Sequence, residues 1–79
     1  MTLFDTHCHF DYPPLCDDAL ALIDQCQALG ITRWLVPATT YERFSQICPF
    51  VAEHPSMHLA LGLHPVYLDE HLPEHIEAL

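Results

Sequence analysis

The chain has almost no basic residues: Arg33 and Arg43 stand against eleven carboxylates, for a formal net charge of -9. That deficit argues against general nucleic-acid binding through a basic face, which works by neutralising phosphates with Lys and Arg. A phosphoester substrate is not excluded, because bound cations can supply the positive charge locally. Glycine is equally scarce. Two glycines against seven prolines point to short ordered connections and leave no Gly-rich phosphate loop. No apolar run approaches the ~20 residues of a membrane span. Met1-Thr2-Leu3-Phe4-Asp5 contains neither a basic n-region nor an extended apolar h-region, so a cytoplasmic protein without membrane contact is expected. The four cysteines, at 8, 16, 26 and 48, contain no C-x-x-C pair. Reduced, mostly packed thiols are therefore expected instead of disulfides. No Ser-His-Asp or Cys-His order suggests nucleophilic catalysis.

What remains is a chain of 79 residues, half of them apolar and without low-complexity stretches. It is one small domain at most. Strand and helix patterns alternate along it. Leu3 to about His7 reads as a strand, and Tyr12-Pro13-Pro14 breaks it. Asp17 and Asp18 suit the cap or first turn of a helix. Ala19, Leu22, Ile23, Cys26 and Leu29 then recur at helical spacing until Gly30 stops them. Trp34-Leu35-Val36 forms a second strand ending at Pro37. Thr39 with Glu42 forms a capping box for a second helix carrying Phe44, Ile47, Cys48 and Val51, which Pro49 should kink or split. Met57 to Leu63 is nearly continuous in apolar residues, as in a parallel strand covered on both faces. Pro73 fits the first position of a third helix, with Ile76 and Leu79 on one apolar edge. The order β-α-β-α-β-α is that of α/β folds. An open doubly wound sheet and part of a (β/α)₈ barrel both fit it.

The chemistry-bearing residues begin at Asp5-Thr6-His7-Cys8-His9. Residues two apart in a strand share a face, with backbones ~6.6–7 Å apart. Two imidazoles at that spacing can lean onto one divalent metal, and the C-terminal ends of strands are where α/β folds place their sites. Asp5 has the same parity and is expected to hold an imidazole as an outer acceptor. The plain alternative is two histidines near a surface loop, and two ligands are too few for a complete zinc-type site. Gly62-Leu63-His64-Pro65 occupies the equivalent place after the third strand. His64 there can ligate metal, donate to a phosphate oxygen or shuttle a proton, or simply close a Gly-Pro turn. His71 and His75 read as a solvated pair, with His71 ahead of the helix. Asp69, Glu70, Glu74 and Glu77 read as an exposed face, and Trp34 and the phenylalanines as core.

Three segments together carry a resemblance. Phe4-Asp5-Thr6-His7-Cys8-His9-Phe10-Asp11 resembles the opening of the TatD-type metal-dependent hydrolases of the amidohydrolase-like superfamily. Val36-Pro37-Ala38-Thr39 looks like that family's second βα junction, and Ala60-Leu61-Gly62-Leu63-His64-Pro65 like its third-strand motif. The similarity spans essentially the whole chain. It implies a (β/α)₈ TIM-type barrel, one to three divalent cations (Zn, Mg, Mn or similar) and hydrolysis of phosphodiester bonds, typically as a deoxyribonuclease acting on DNA. His7 and His9 would be metal ligands and His64 a catalytic residue at the scissile phosphate. A metal-activated water would attack phosphorus.

Family members run to about 250 residues, the usual barrel size, and their further ligands, a Glu, two His and an Asp, lie on later strands. Residues 1–79 therefore read as a single partial domain holding three of the eight βα units. The expectation is the N-terminal portion of a hydrolase from an incomplete or interrupted reading frame, with little or no activity alone. Its third strand would keep an unpaired apolar edge open to self-association. Two other readings are a half-barrel completed by another chain and a small non-catalytic metal-binding module.

Overall fold

A computed structural model describes residues 1–79. Three parallel strands, β1 (Leu3–Asp5), β2 (Ile31–Pro37) and β3 (Met57–Ala60), form one sheet in the order β1-β2-β3. Between them run α1 (Ala19–Ala28) and α2 (Phe44–Ala52), and α3 (Pro73–Glu77) follows β3. Short 3-10 turns at Leu15–Asp18, Tyr41–Arg43 and Pro65–Glu70 precede the three helices.

Alternation along β2 decides which face is core. Trp34 and Val36 point one way and are buried against Ala19 and Ile23 of α1, Ile47 of α2, and Phe10, Ala38 and Met57. On the opposite face the Arg33 guanidinium donates to His58 Nε2 (3.2 and 3.0 Å) and lies 4.8 Å over the Phe4 ring. No helix covers that face. Phe4 is 41% exposed, so one phenylalanine expected in the core lies outside it.

Both outer strands are shorter than their apolar patterns suggest, each for a local reason. Asp5 Oδ1 accepts the backbone N–H of His7 (3.1 Å), and this turn takes residues 6 and 7 out of the ladder. β1 therefore ends at Asp5, although Cys8 N–H rejoins β2 at the Leu35 carbonyl (3.1 Å). β3 ends at Ala60 because its partner β2 ends at Pro37. Beyond it the chain crosses the end of β2, where His64 N–H donates to the Thr39 carbonyl (2.8 Å). Leu59 and Leu61 are 36% and 41% exposed, so β3 is not covered on both faces. Its far edge is unpaired.

The helices depart from expectation in similar ways. Neither Asp18 before α1 nor Thr40 before the Tyr41–Arg43 turn makes a side-chain cap, and Thr39 with Glu42 forms no capping box. Thr39 Oγ1 instead bonds the Tyr12 hydroxyl (2.6 Å). Pro49 lies within α2 without splitting it. Pro49 and Ser45, whose carbonyl it leaves without a helical donor, are both exposed, so water can take that carbonyl. Cys8 and Cys26 pack on the core, while Cys48 is exposed.

Gly30 ends α1 at φ +99°, and a Cβ there would sit 2.9 Å from the Met1 carbonyl oxygen. Its own carbonyl accepts from Leu3 N–H (2.7 Å), which starts β1 beside β2. Gly30→Ala is expected to cost about 1–2 kcal/mol from the left-handed backbone alone, and more from the contact. A urea midpoint shift in circular dichroism will show it.

Candidate metal and phosphate site

The site is built on the bend after β1. Because Cys8 N–H returns to β2, its side chain packs toward the core and those of His7 and His9 turn away from it. Burial and the neighbouring Asp5 charge push the Cys8 thiol up, which keeps it protonated and a poor ligand. The His7 and His9 rings meet edge to face with centroids 5.0 Å apart. The pairing expected from strand parity is therefore present, although a bend delivers it. No imidazole bonds Asp5, whose Oδ1 accepts the His7 backbone N–H instead.

His64 joins this pair. Its ring centroid lies 6.3 Å from that of His9. His64 Nδ1 accepts the Val66 N–H (3.1 Å), which leaves the ring proton on Nε2 in the neutral form. An imidazole in that tautomer is a hydrogen-bond donor at Nε2 and a poor metal ligand. Of the three roles open to His64 from sequence, donation to an oxyanion suits the geometry best. His9, Tyr12, Thr39, His64, Val66 and Tyr67 line one cavity of ≈ 320 Å³. That volume lies within the ~300–1,000 Å³ usual for small-ligand pockets. A larger cavity of ≈ 420 Å³ lies between α1 and α2, lined by Asp17, Asp18, Glu53 and His54 among others. It contains none of the three histidines and is not where the chemistry gathers.

Two histidines dismissed on sequence have structural tasks. His71 Nε2 donates to the His64 carbonyl (2.7 Å), fixing the turn that carries His64. His75 is buried, stacks on Tyr41 at 4.7 Å and accepts the Leu72 N–H at Nδ1 (3.1 Å). They are not a solvated pair. Asp69, Glu70, Glu74 and Glu77 are exposed, as expected. Tyr12, Tyr67 and Thr39 were missed as cavity residues. Only the place of Thr39 after the second strand hinted at one of them.

The donor set suits a divalent cation in part. His9 Nδ1 is buried and has no protein partner, as for an imidazole awaiting a group from outside this chain. Paired neutral imidazoles are ordinary ligands for such ions. No group of three or more His, Cys, Asp or Glu side chains gathers around one point, however. The chain brings two imidazoles together and adds no third donor.

Known proteins resemble this chain in sequence and fold. The family model described as TatD related DNase matches residues 4–79. A curated Escherichia coli (strain K12) protein, the uncharacterized metal-dependent hydrolase YjjV, is 37% identical over 75 residues, covering 95% of this chain and 29% of its own length. The crystal structure of YjjV, a TatD homologue from the same organism, superposes with a TM-score of 0.89 at 36% identity over 95% of this chain. The chain again spans 29% of that structure and corresponds to the N-terminal part of its TIM barrel. With a family model matched over residues 4–79 and a relative 37% identical over 95% of this chain, the chain belongs to the TatD related DNase family.

Proposed function

We propose that residues 1–79 supply the first part of a divalent-metal hydrolase site that cleaves phosphodiester bonds, DNA being the substrate the family description suggests. The observation that carries this reading is the His7–His9 pair, with rings 5.0 Å apart and with His64 sharing one cavity with His9. When bound, the divalent cation supplies Lewis-acid polarisation of the phosphate and lowers the pKa of an attacking water. His7 and His9 would hold it. His64, with its proton on Nε2, donates to a phosphate oxygen and orients the scissile group, while the His71 bond to the His64 carbonyl keeps that turn in place. The scarcity of basic residues accords with a site whose positive charge arrives as metal. The reducing cytoplasm suits the four free thiols.

Because only two ligands converge, the 79-residue chain is expected to turn over little or no substrate. The test pairs calorimetric titration with Zn²⁺ and Mn²⁺ with hydrolysis of bis(p-nitrophenyl) phosphate. Binding that requires His7 and His9, with negligible turnover, is the expected result. Turnover near that of full-length relatives would overturn the partial-site reading, and binding indifferent to both histidines would overturn the ligand assignment. A self-sufficient metal-binding module needs a converging third ligand, and no such group is present.

A further inference from the structure

One of the two cations in the chain lies against the loop that carries His9. Arg43, in the turn ahead of α2, donates through Nη2 to the Asp11 backbone carbonyl (2.9 Å) and to Asp11 Oδ2 (3.2 Å). Its guanidinium lies 4.1 Å over the Tyr12 ring. Tyr12 in turn bonds Thr39 Oγ1 through its hydroxyl (2.6 Å) and donates its backbone N–H to the His9 carbonyl (3.1 Å). The His9 and Tyr12 rings meet edge to face at 6.0 Å. Thr39 also accepts the His64 N–H. The segment from Thr39 to Arg43 is thus a common reference for both histidine-bearing loops.

Net stability is a poor account of this ion pair. The Asp11 side chain is 2% exposed and that of Arg43 24%. Asp11 Oδ1 and Arg43 Nε are both buried without a partner. A buried pair that leaves polar atoms unsatisfied gains little over its desolvation cost. The planar guanidinium does fix geometry: Nη2 reaches a carbonyl and a carboxylate while the plane lies on the Tyr12 ring, a stacking that the compact ammonium of lysine does not reproduce.

We infer that Arg43 is a positioning residue for the metal-binding histidines, acting through Asp11 and Tyr12 to set where the His9 imidazole sits. Its effect on cation affinity rests on the function proposed above, and its effect on His9 itself does not. Removing an outer partner of a metal ligand typically weakens binding 10–100-fold. The test compares the wild-type chain with Arg43→Lys and Arg43→Ala. The first readout is the His9 imidazole signal in NMR spectra of the metal-free chain, assigned with His9→Gln. The second is the dissociation constant for Co²⁺ from its visible absorption.

In Arg43→Lys the His9 ring signal is expected to shift or broaden while that of His58, on the opposite sheet face, stays fixed. The Co²⁺ dissociation constant is expected to rise about tenfold. Unchanged His9 signals in Arg43→Lys would overturn the inference. So would ring signals that all move together with the unfolding midpoint, the mark of a general structural role. If the wild-type chain binds no Co²⁺ through His7 and His9, the metal reading fails alone, and the His9 signal still decides the positioning role. Should Arg43→Ala not fold, Arg43→Lys keeps the charge and stem and carries the comparison.

Discussion

Replacing Trp34 by alanine is expected to abolish cooperative unfolding of the chain. Trp34 is 2% exposed at the centre of β2, with Phe10 edge-on at 5.7 Å. It belongs to a core of only eight buried apolar residues, so no large neighbouring cluster can collapse into the space it leaves. Truncating a buried Trp costs about 3–5 kcal/mol. A chain of this size has no more than about 4–12 kcal/mol in total at ~0.05–0.15 kcal/mol per residue. The loss is therefore comparable with the whole stability. Circular dichroism in a urea series will show a broad, early transition, and binding of a hydrophobic dye will rise. Leu29→Ala, at a position 80% exposed, is the control and should stay within about 0.5 kcal/mol of wild type. A sharp wild-type-like transition in Trp34→Ala would mean that the core lies elsewhere.

The second large effect is on cation binding. His7→Ala and His9→Ala, singly, are each expected to weaken Zn²⁺ or Co²⁺ binding by more than the 10–100-fold typical of outer partners, because each would remove one of the two proposed ligands. His64→Ala is expected to leave affinity within a few-fold, since its Nδ1 is committed to Val66 and its Nε2 carries the proton. The same separation should appear with pH. Ligation requires neutral imidazoles, so affinity falls as the solution is acidified and protons compete with metal. An equal loss from all three alanine variants would make His64 a third ligand and contradict the tautomer assigned to it. Calorimetry of the four proteins under one buffer condition separates these results.

Much of this is legible in the sequence. The periodicity of Ala19, Ile23 and Cys26 gave α1, Gly30 gave its end, and Pro73 gave the start of α3, as observed. Those features depend on spacing and backbone freedom within a few residues. The reading failed where a distant partner overrode the local pattern. Thr39 looked like a helix cap and is held by Tyr12, 27 residues away. His75 looked solvated and is covered by Tyr41. β3 looked longer than it is because its length is set by where β2 stops.

The sequence by itself determined the alternation of strands and helices, the parity of Trp34 with Val36, and the presence of two imidazoles flanking a thiol. These follow from residue chemistry and local repeat. Only the tertiary structure decided that a bend at Asp5, and not a continuous strand, sets His7 and His9 edge to face. It alone brought His64 to them and fixed its ring proton. It also placed Arg43 on Asp11, 32 residues away. The physical reason is the same in each case: a hydrogen bond or ring contact between distant residues exists only once packing has brought them within a few ångströms, and no local pattern encodes that approach.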